Sequence, residues 1–133
     1  MKIFPERIKK CLQKHDLRLI LLHGSWAKGK THPQSDVDIA VVRKDRQKNY
    51  NLLALIKDLS VALQTERVDL SDLTLADPLF LFAALQKSQL LAGKKGDYEK
   101  LLKRAFFRYN DYLPFLAREE NFVKERIAHY VAA

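Results

Sequence analysis

Leu17-Arg18-Leu19-Ile20-Leu21-Leu22-His23, then Gly24-Ser25-Trp26-Ala27-Lys28-Gly29-Lys30-Thr31-His32-Pro33-Gln34-Ser35, then Asp36-Val37-Asp38-Ile39-Ala40-Val41-Val42 is the stretch on which the fold turns. Two phosphate-binding patterns overlap inside it. Gly24 to Thr31 matches G-x-x-x-x-G-K-[ST] residue for residue and follows an apolar strand, as a P-loop does. Gly24-Ser25 followed ten residues later by Asp36-Val37-Asp38 is the other. A P-loop threonine opens a helix whose amide groups hold phosphate. Here Thr31 is followed by four residues and then a strand. A parallel crossover takes about a dozen residues or more. The second pattern is therefore the one that fits its surroundings.

That pattern has a physical reading. Asp36 and Asp38 stand two apart on a predicted strand spanning 36–42, so their carboxylates share one face about 6–7 Å apart. Oxygen ligands so spaced suit hard divalent cations that bridge triphosphate oxygens. Gly24 lets the backbone approach phosphate closely, and Ser25 and the neighbouring amides can donate to it. Lys28, Lys30 and Arg43 are candidates to neutralise the triphosphate, or ordinary surface charge. A third carboxylate, Asp69, lies in the predicted strand 67–70; a charge within an apolar strand is costly without a partner or a metal. His23 reads as structural, and the four histidines show no paired metal-ligand spacing.

Around this centre, Pro5 to Lys14 reads as a helix opened by a proline at its first position. Residues 49–63 read as an amphipathic helix with Leu52, Leu55, Ile56, Leu59 and Leu63 on one face. Asp77 caps a helix that starts at Pro78 and runs to about Lys87, and residues 89–92 read as an edge strand. From Gly96 the chain is helical and aromatic, with Pro114 expected to kink or divide it. Its aromatic stripe is expected mainly to pack a helix pair onto the sheet, with a partner-binding surface as the second reading. The fold class is α/β (α+β), a small mixed sheet flanked by helices with a helical C-terminal end, in a single domain over residues 1–133.

The net charge of +8 suits polyanions, but the cations are spread along the chain. Charge alone does not establish nucleic-acid binding, which stays the less favoured reading. The lone Cys11 excludes an internal disulfide and reads as core packing. No apolar run is long enough for a membrane span or a signal peptide, so a cytoplasmic protein is expected.

Taken together these motifs resemble the minimal nucleotidyltransferases (the MNT family) of the polymerase-beta-like superfamily. Gly24-Ser25-Trp26-Ala27-Lys28-Gly29 is similar to the family's G-S-x-A-x-G, and Ser35-Asp36-Val37-Asp38 to its S-D-h-D strand, where h is apolar. Arg67-Val68-Asp69-Leu70 resembles its third-carboxylate strand and Asp77-Pro78-Leu79 the helix start that follows. Lys87-Ser88 departs from a glycine the family often carries there. The resemblance implies the polymerase-beta-like nucleotidyltransferase fold, with two Mg²⁺ ions on Asp36, Asp38 and Asp69 and ATP bound through Gly24, Ser25, Lys28 and Lys30. It also implies an antitoxin that transfers AMP to a tyrosine hydroxyl of a cognate HEPN-domain toxin ribonuclease, or one that neutralises its toxin by binding alone.

Overall fold

Among the described residues, four strands and four helices follow in the order α1 (Pro5–Lys14), β1 (Leu17–His23), β2 (Val37–Arg43), α2 (Leu52–Leu63), β3 (Val68–Asp72), α3 (Pro78–Leu85), β4 (Gln89–Gly93) and α4 (Lys95–Ala132). The computed structural model describes residues 2–24 and 36–132. Ser25, Lys28 and Lys30, three of the nucleotide-binding candidates, lie outside the described residues.

The strands form one mixed sheet in the order β3-β2-β1-β4. β1 pairs antiparallel with both β2 and β4, and β2 pairs parallel with β3. The antiparallel β1–β2 pair disposes of the P-loop alternative, because that motif leads through a helix to a parallel sheet. β1 and β2 are central strands, and both are apolar nearly throughout, as strands covered on both faces must be.

Alternate residues of the strands feed two cores. On one face Ile20, Leu22, Val37, Ile39 and Val41 pack with α1 and α2. On the other, Leu19, Leu21, Ala40 and Val42 pack with α3 and the start of α4. Cys11 is a buried member of the first core, as its surroundings suggested, and burial raises its thiol pKa. The helix starts follow their caps. The Asn51 side chain accepts from Ala54 N–H at 3.0 Å, and Asp77 accepts from Phe80 N–H at 2.9 Å with Pro78 behind it. Each such cap stabilises by about 1 kcal/mol.

The C-terminal end differs from the sequence reading. Pro114 does not divide it: α4 is one helix of 38 residues, about 57 Å long at the usual rise. Pro114 cannot donate to the Asn110 carbonyl, but Asn110 is exposed, so water can satisfy that oxygen. The aromatics do not form a core either. Leu101 and Ala105 are buried, and Tyr109 stacks on Phe82 with ring centroids 3.9 Å apart. Phe106, Phe107, Phe115, Phe122 and Tyr130 are exposed, and no residue described beyond Ala105 is buried. The stripe that packs on the body through Tyr98, Leu101, Leu102, Ala105 and Tyr109 continues in the same phase through half-buried Tyr112 and Leu116 and then through Val123, Ile127 and Tyr130. There it faces solvent. No described helix is long and apolar enough to cross a membrane.

Candidate functional site

The chemistry-bearing residues gather where β1 ends and β2 begins. Register places them. His23 lies opposite Asp38 across the antiparallel β1–β2 pair, and Asp38 lies opposite Asp69 across the parallel β2–β3 pair. Neighbouring strands sit about 4.8 Å apart, so three polar side chains form a row about 10 Å across. Gly24 follows directly, with φ +73°. A Cβ there would collide with Asp38 Oδ2. Glycine is thus required twice, once by the backbone conformation and once by the carboxylate lying against it.

The environment of Asp38 is tuned. Its pKa is raised, first by burial, and further by the charges of Asp69 and Asp36 and a hydrogen bond with the Asp69 side chain; only His23 pulls the other way. Two carboxylates set side by side repel one another, and a divalent cation between them would offset that repulsion, so this donor set fits the metal chemistry inferred from the sequence. Asp36 lies just before β2 and is exposed, near enough for its charge to reach Asp38. Among the described residues the three carboxylates do not close into a cage. Asp38 and Asp69 are the pair that the fold itself brings together.

Asp69 departs from the sequence expectation, and for Arg43 the structure decides between the two readings. Asp69 is exposed, so no burial cost explains its place; the pairing register does. Arg43 is not at this site. It ends β2 five residues beyond Asp38, about 17 Å away by strand rise. There its Nε lies 2.8 Å from Asp72 Oδ2, and its Nη1 donates to the Lys48 carbonyl. The Arg43 Nε is out of line for a hydrogen bond with Asp72, so charge alone holds that pair.

His23 is the residue whose place the sequence did not reveal. Its ring is partly buried, which lowers its pKa, while Asp38 and then Asp69 raise it. Its Nε2 finds no hydrogen-bond partner among the described residues. An imidazole held beside two carboxylates can exchange a proton with them or orient them.

Residues 6–97 match the family described as polymerase beta, nucleotidyltransferase. The chain belongs to that family. Among similar proteins, this nucleotidyltransferase is 33% identical over 93 residues to the protein adenylyltransferase MntA of Shewanella oneidensis. That alignment covers 70% of this chain and 66% of the relative, just under two thirds of its length. It is also similar to a chain in a crystal structure of a toxin–antitoxin pair with AMP-PNP. There the TM-score is 0.71 and the identity 28%, over 94% of this chain and 99% of that one. A third likeness is to a structure of a tri-AMPylated Shewanella oneidensis HEPN toxin in complex with its MNT antitoxin. Its TM-score is 0.64 and its identity 26%, over 92% of this chain and 95% of that one. These structural likenesses extend past residue 97 into α4.

Proposed function

We propose that this nucleotidyltransferase is the antitoxin of a toxin–antitoxin pair and silences an HEPN toxin by transferring AMP from ATP to a tyrosine hydroxyl. The observation that carries the reading is the Asp38–Asp69 pair set in register beneath Gly24. The similarity to the protein adenylyltransferase MntA and to toxin–antitoxin structures with AMP-PNP or with an AMPylated HEPN toxin supports an adenine nucleotide as donor and an HEPN toxin as acceptor. Residues 1–133 act as one domain, working in the cytoplasm on ATP and a protein partner.

Asp36, Asp38 and Asp69 would hold two Mg²⁺ ions, which supply charge neutralisation on the triphosphate and at the reacting phosphorus. The chain's own groups do the rest. Gly24 leaves room for the Asp38 carboxylate to lie against the backbone, and Ser25, Lys28 and Lys30 follow it in sequence to donate to the triphosphate. Asp69, the exposed member of the pair, is open to the acceptor and takes its hydroxyl proton. The hydroxyl oxygen bonds to the α-phosphorus, the bond from that phosphorus to the bridging oxygen breaks, and pyrophosphate leaves. His23 orients Asp38 from the other side.

A second reading, neutralisation by contact alone, is favoured by one observation: the second half of α4 offers an apolar stripe that no described residue of this chain covers. One experiment separates them. The purified chain is incubated with MgATP and its cognate toxin, and the toxin's intact mass is recorded. We expect adenylyl additions that fall at least ~100-fold with Asp38→Asn or Asp69→Asn, since losing a charge-stabilising group costs about that much. No mass gain with the wild-type chain rejects the transferase reading. Full protection of cells by the double variant selects contact.

A further inference from the structure

The net charge of the chain is not evenly spread in three dimensions. At the end of the sheet away from Asp38, a cavity of about 360 Å³ opens between β1, β2 and α4. Six cations line it: Arg18 from the start of β1, Arg43 at the end of β2, Lys44 and Arg46 just after it, and Lys100 and Arg104 from α4. They come from three separate stretches of chain, which is why their clustering is invisible along the sequence. Its floor is apolar, built from Leu19, Val42 and Leu101.

Few anions answer this charge. Asp97 is the only carboxylate in the lining, and its Oδ2 reaches Arg18 Nη1 at 3.9 Å, near the limit of an ion pair. Asp72 takes Arg43 from outside the cavity, and Asp16 reaches Lys44 at 4.0 Å. Among the described residues Arg46, Lys100 and Arg104 have no carboxylate within 4.0 Å. Burial and the charges of Arg108 and Arg46 lower the pKa of Arg104, which is what a guanidinium short of counter-charge shows. Gathering like charges costs folding energy, so a cluster like this is best explained by something that binds it.

We propose that this cavity is a second anion site, separate from the catalytic end, that binds a compact ligand carrying several linked phosphates. The shape chooses the class. The cations ring one concavity of a size usual for small-molecule sites, whereas a nucleic-acid strand needs its cations strung along a track. Arginine guanidinium groups fit phosphate oxygens in pairs, and four of the six cations are arginines, placed on β1, at the end of β2, on the loop after β2 and on α4. The apolar floor has room for part of a nucleoside beneath the phosphates. Such a site lets the level of a nucleoside triphosphate, or of inorganic polyphosphate, act on the enzyme from about 17 Å away along β2.

The test is calorimetric titration of the full chain with inorganic tripolyphosphate in the presence of a chelator, which removes divalent cations from the carboxylate end. We expect saturable one-to-one binding that is unchanged in Asp38→Asn and weakened at least tenfold in the double variant Arg46→Ala, Arg104→Ala. Arg104→Gln keeps most of the aliphatic stem and is expected to weaken binding as well. ATP binding more tightly than tripolyphosphate at this site identifies a nucleotide ligand; equal affinities identify the linked phosphates alone. The proposal is overturned by an absence of saturable binding, or by binding that Asp38→Asn removes and the arginine variants spare. It is equally overturned if an RNA oligonucleotide binds the patch far more tightly than tripolyphosphate. Because no catalysis is measured, the result is independent of whether AMP transfer occurs.

Discussion

Gly24 illustrates how much chemistry a missing side chain can carry. At φ +73° it adopts a conformation that other residues reach only with strain, and its bare Cα faces the Asp38 carboxylate. Gly24→Ala must therefore both strain the backbone and displace Asp38. We expect AMP transfer to fall at least ~10-fold, with a stability loss of only about 1–2 kcal/mol, the usual cost of such local strain. Parallel mass-spectrometric and thermal-melting measurements check this, and unaltered transfer would show that Asp38 has room to move. The sequence displays the Asp36-x-Asp38 spacing because it is local, although β2 begins at Val37 and leaves Asp36 just outside the strand. It hid His23, whose partners lie on other strands and depend on register. It located Asp69 for a reason the exposed carboxylate does not bear out, since the β2–β3 pairing sets its place rather than burial.

Between elements, a polar tie joins α1 to α2. His15 Nε2 lies 2.7 Å from Asp58 Oδ2, and Lys14 Nζ lies 2.9 Å from the same oxygen. These contacts, the histidine first, hold the Asp58 pKa below the ordinary carboxylate value. A carboxylate with a depressed folded-state pKa adds stability above its unfolded value, about 3.9, and that stability is lost as pH falls through the folded value. The stability gap between the wild-type chain and Asp58→Asn should thus be full at neutral pH and close below about pH 4. Denaturant titrations at several pH values measure it; a gap that persists in acid would mean the tie acts through packing. The elements themselves were largely legible, because Pro5, Asp77-Pro78 and the apolar periods state their own boundaries. The undivided α4 was not. Pro114 breaks a helix only when the carbonyl it abandons lacks another partner, and exposure is not written in a local pattern.

At the scale of the molecule, the body and the extension of α4 contribute differently. Every buried residue lies at or before Ala105 among those described. A chain ending after Tyr112 should keep its core and melt within a few degrees of the full chain. The same truncation should weaken toxin capture in a pull-down if the exposed stripe is the contact. A large drop in melting temperature would mean that the distal helix supports the body in a way burial does not express. The mixed sheet and its helices followed from the order of patterned segments. What covers the aromatic stripe did not, because amphipathicity announces that a face wants a neighbour without saying whether the neighbour is in the same chain.

The position of β1 between β2 and β4 also bears on how the protein comes off the ribosome. One neighbour follows β1 closely, but the other begins only at Gln89. At about 5–20 residues per second, several seconds pass in which the Leu19–Leu22 edge has been synthesised and its second partner has not. An apolar strand edge left open for that long invites pairing with a neighbouring nascent chain. Slower translation between the codons for residues 43 and 89 should therefore increase aggregation during expression, while leaving the finished protein unchanged.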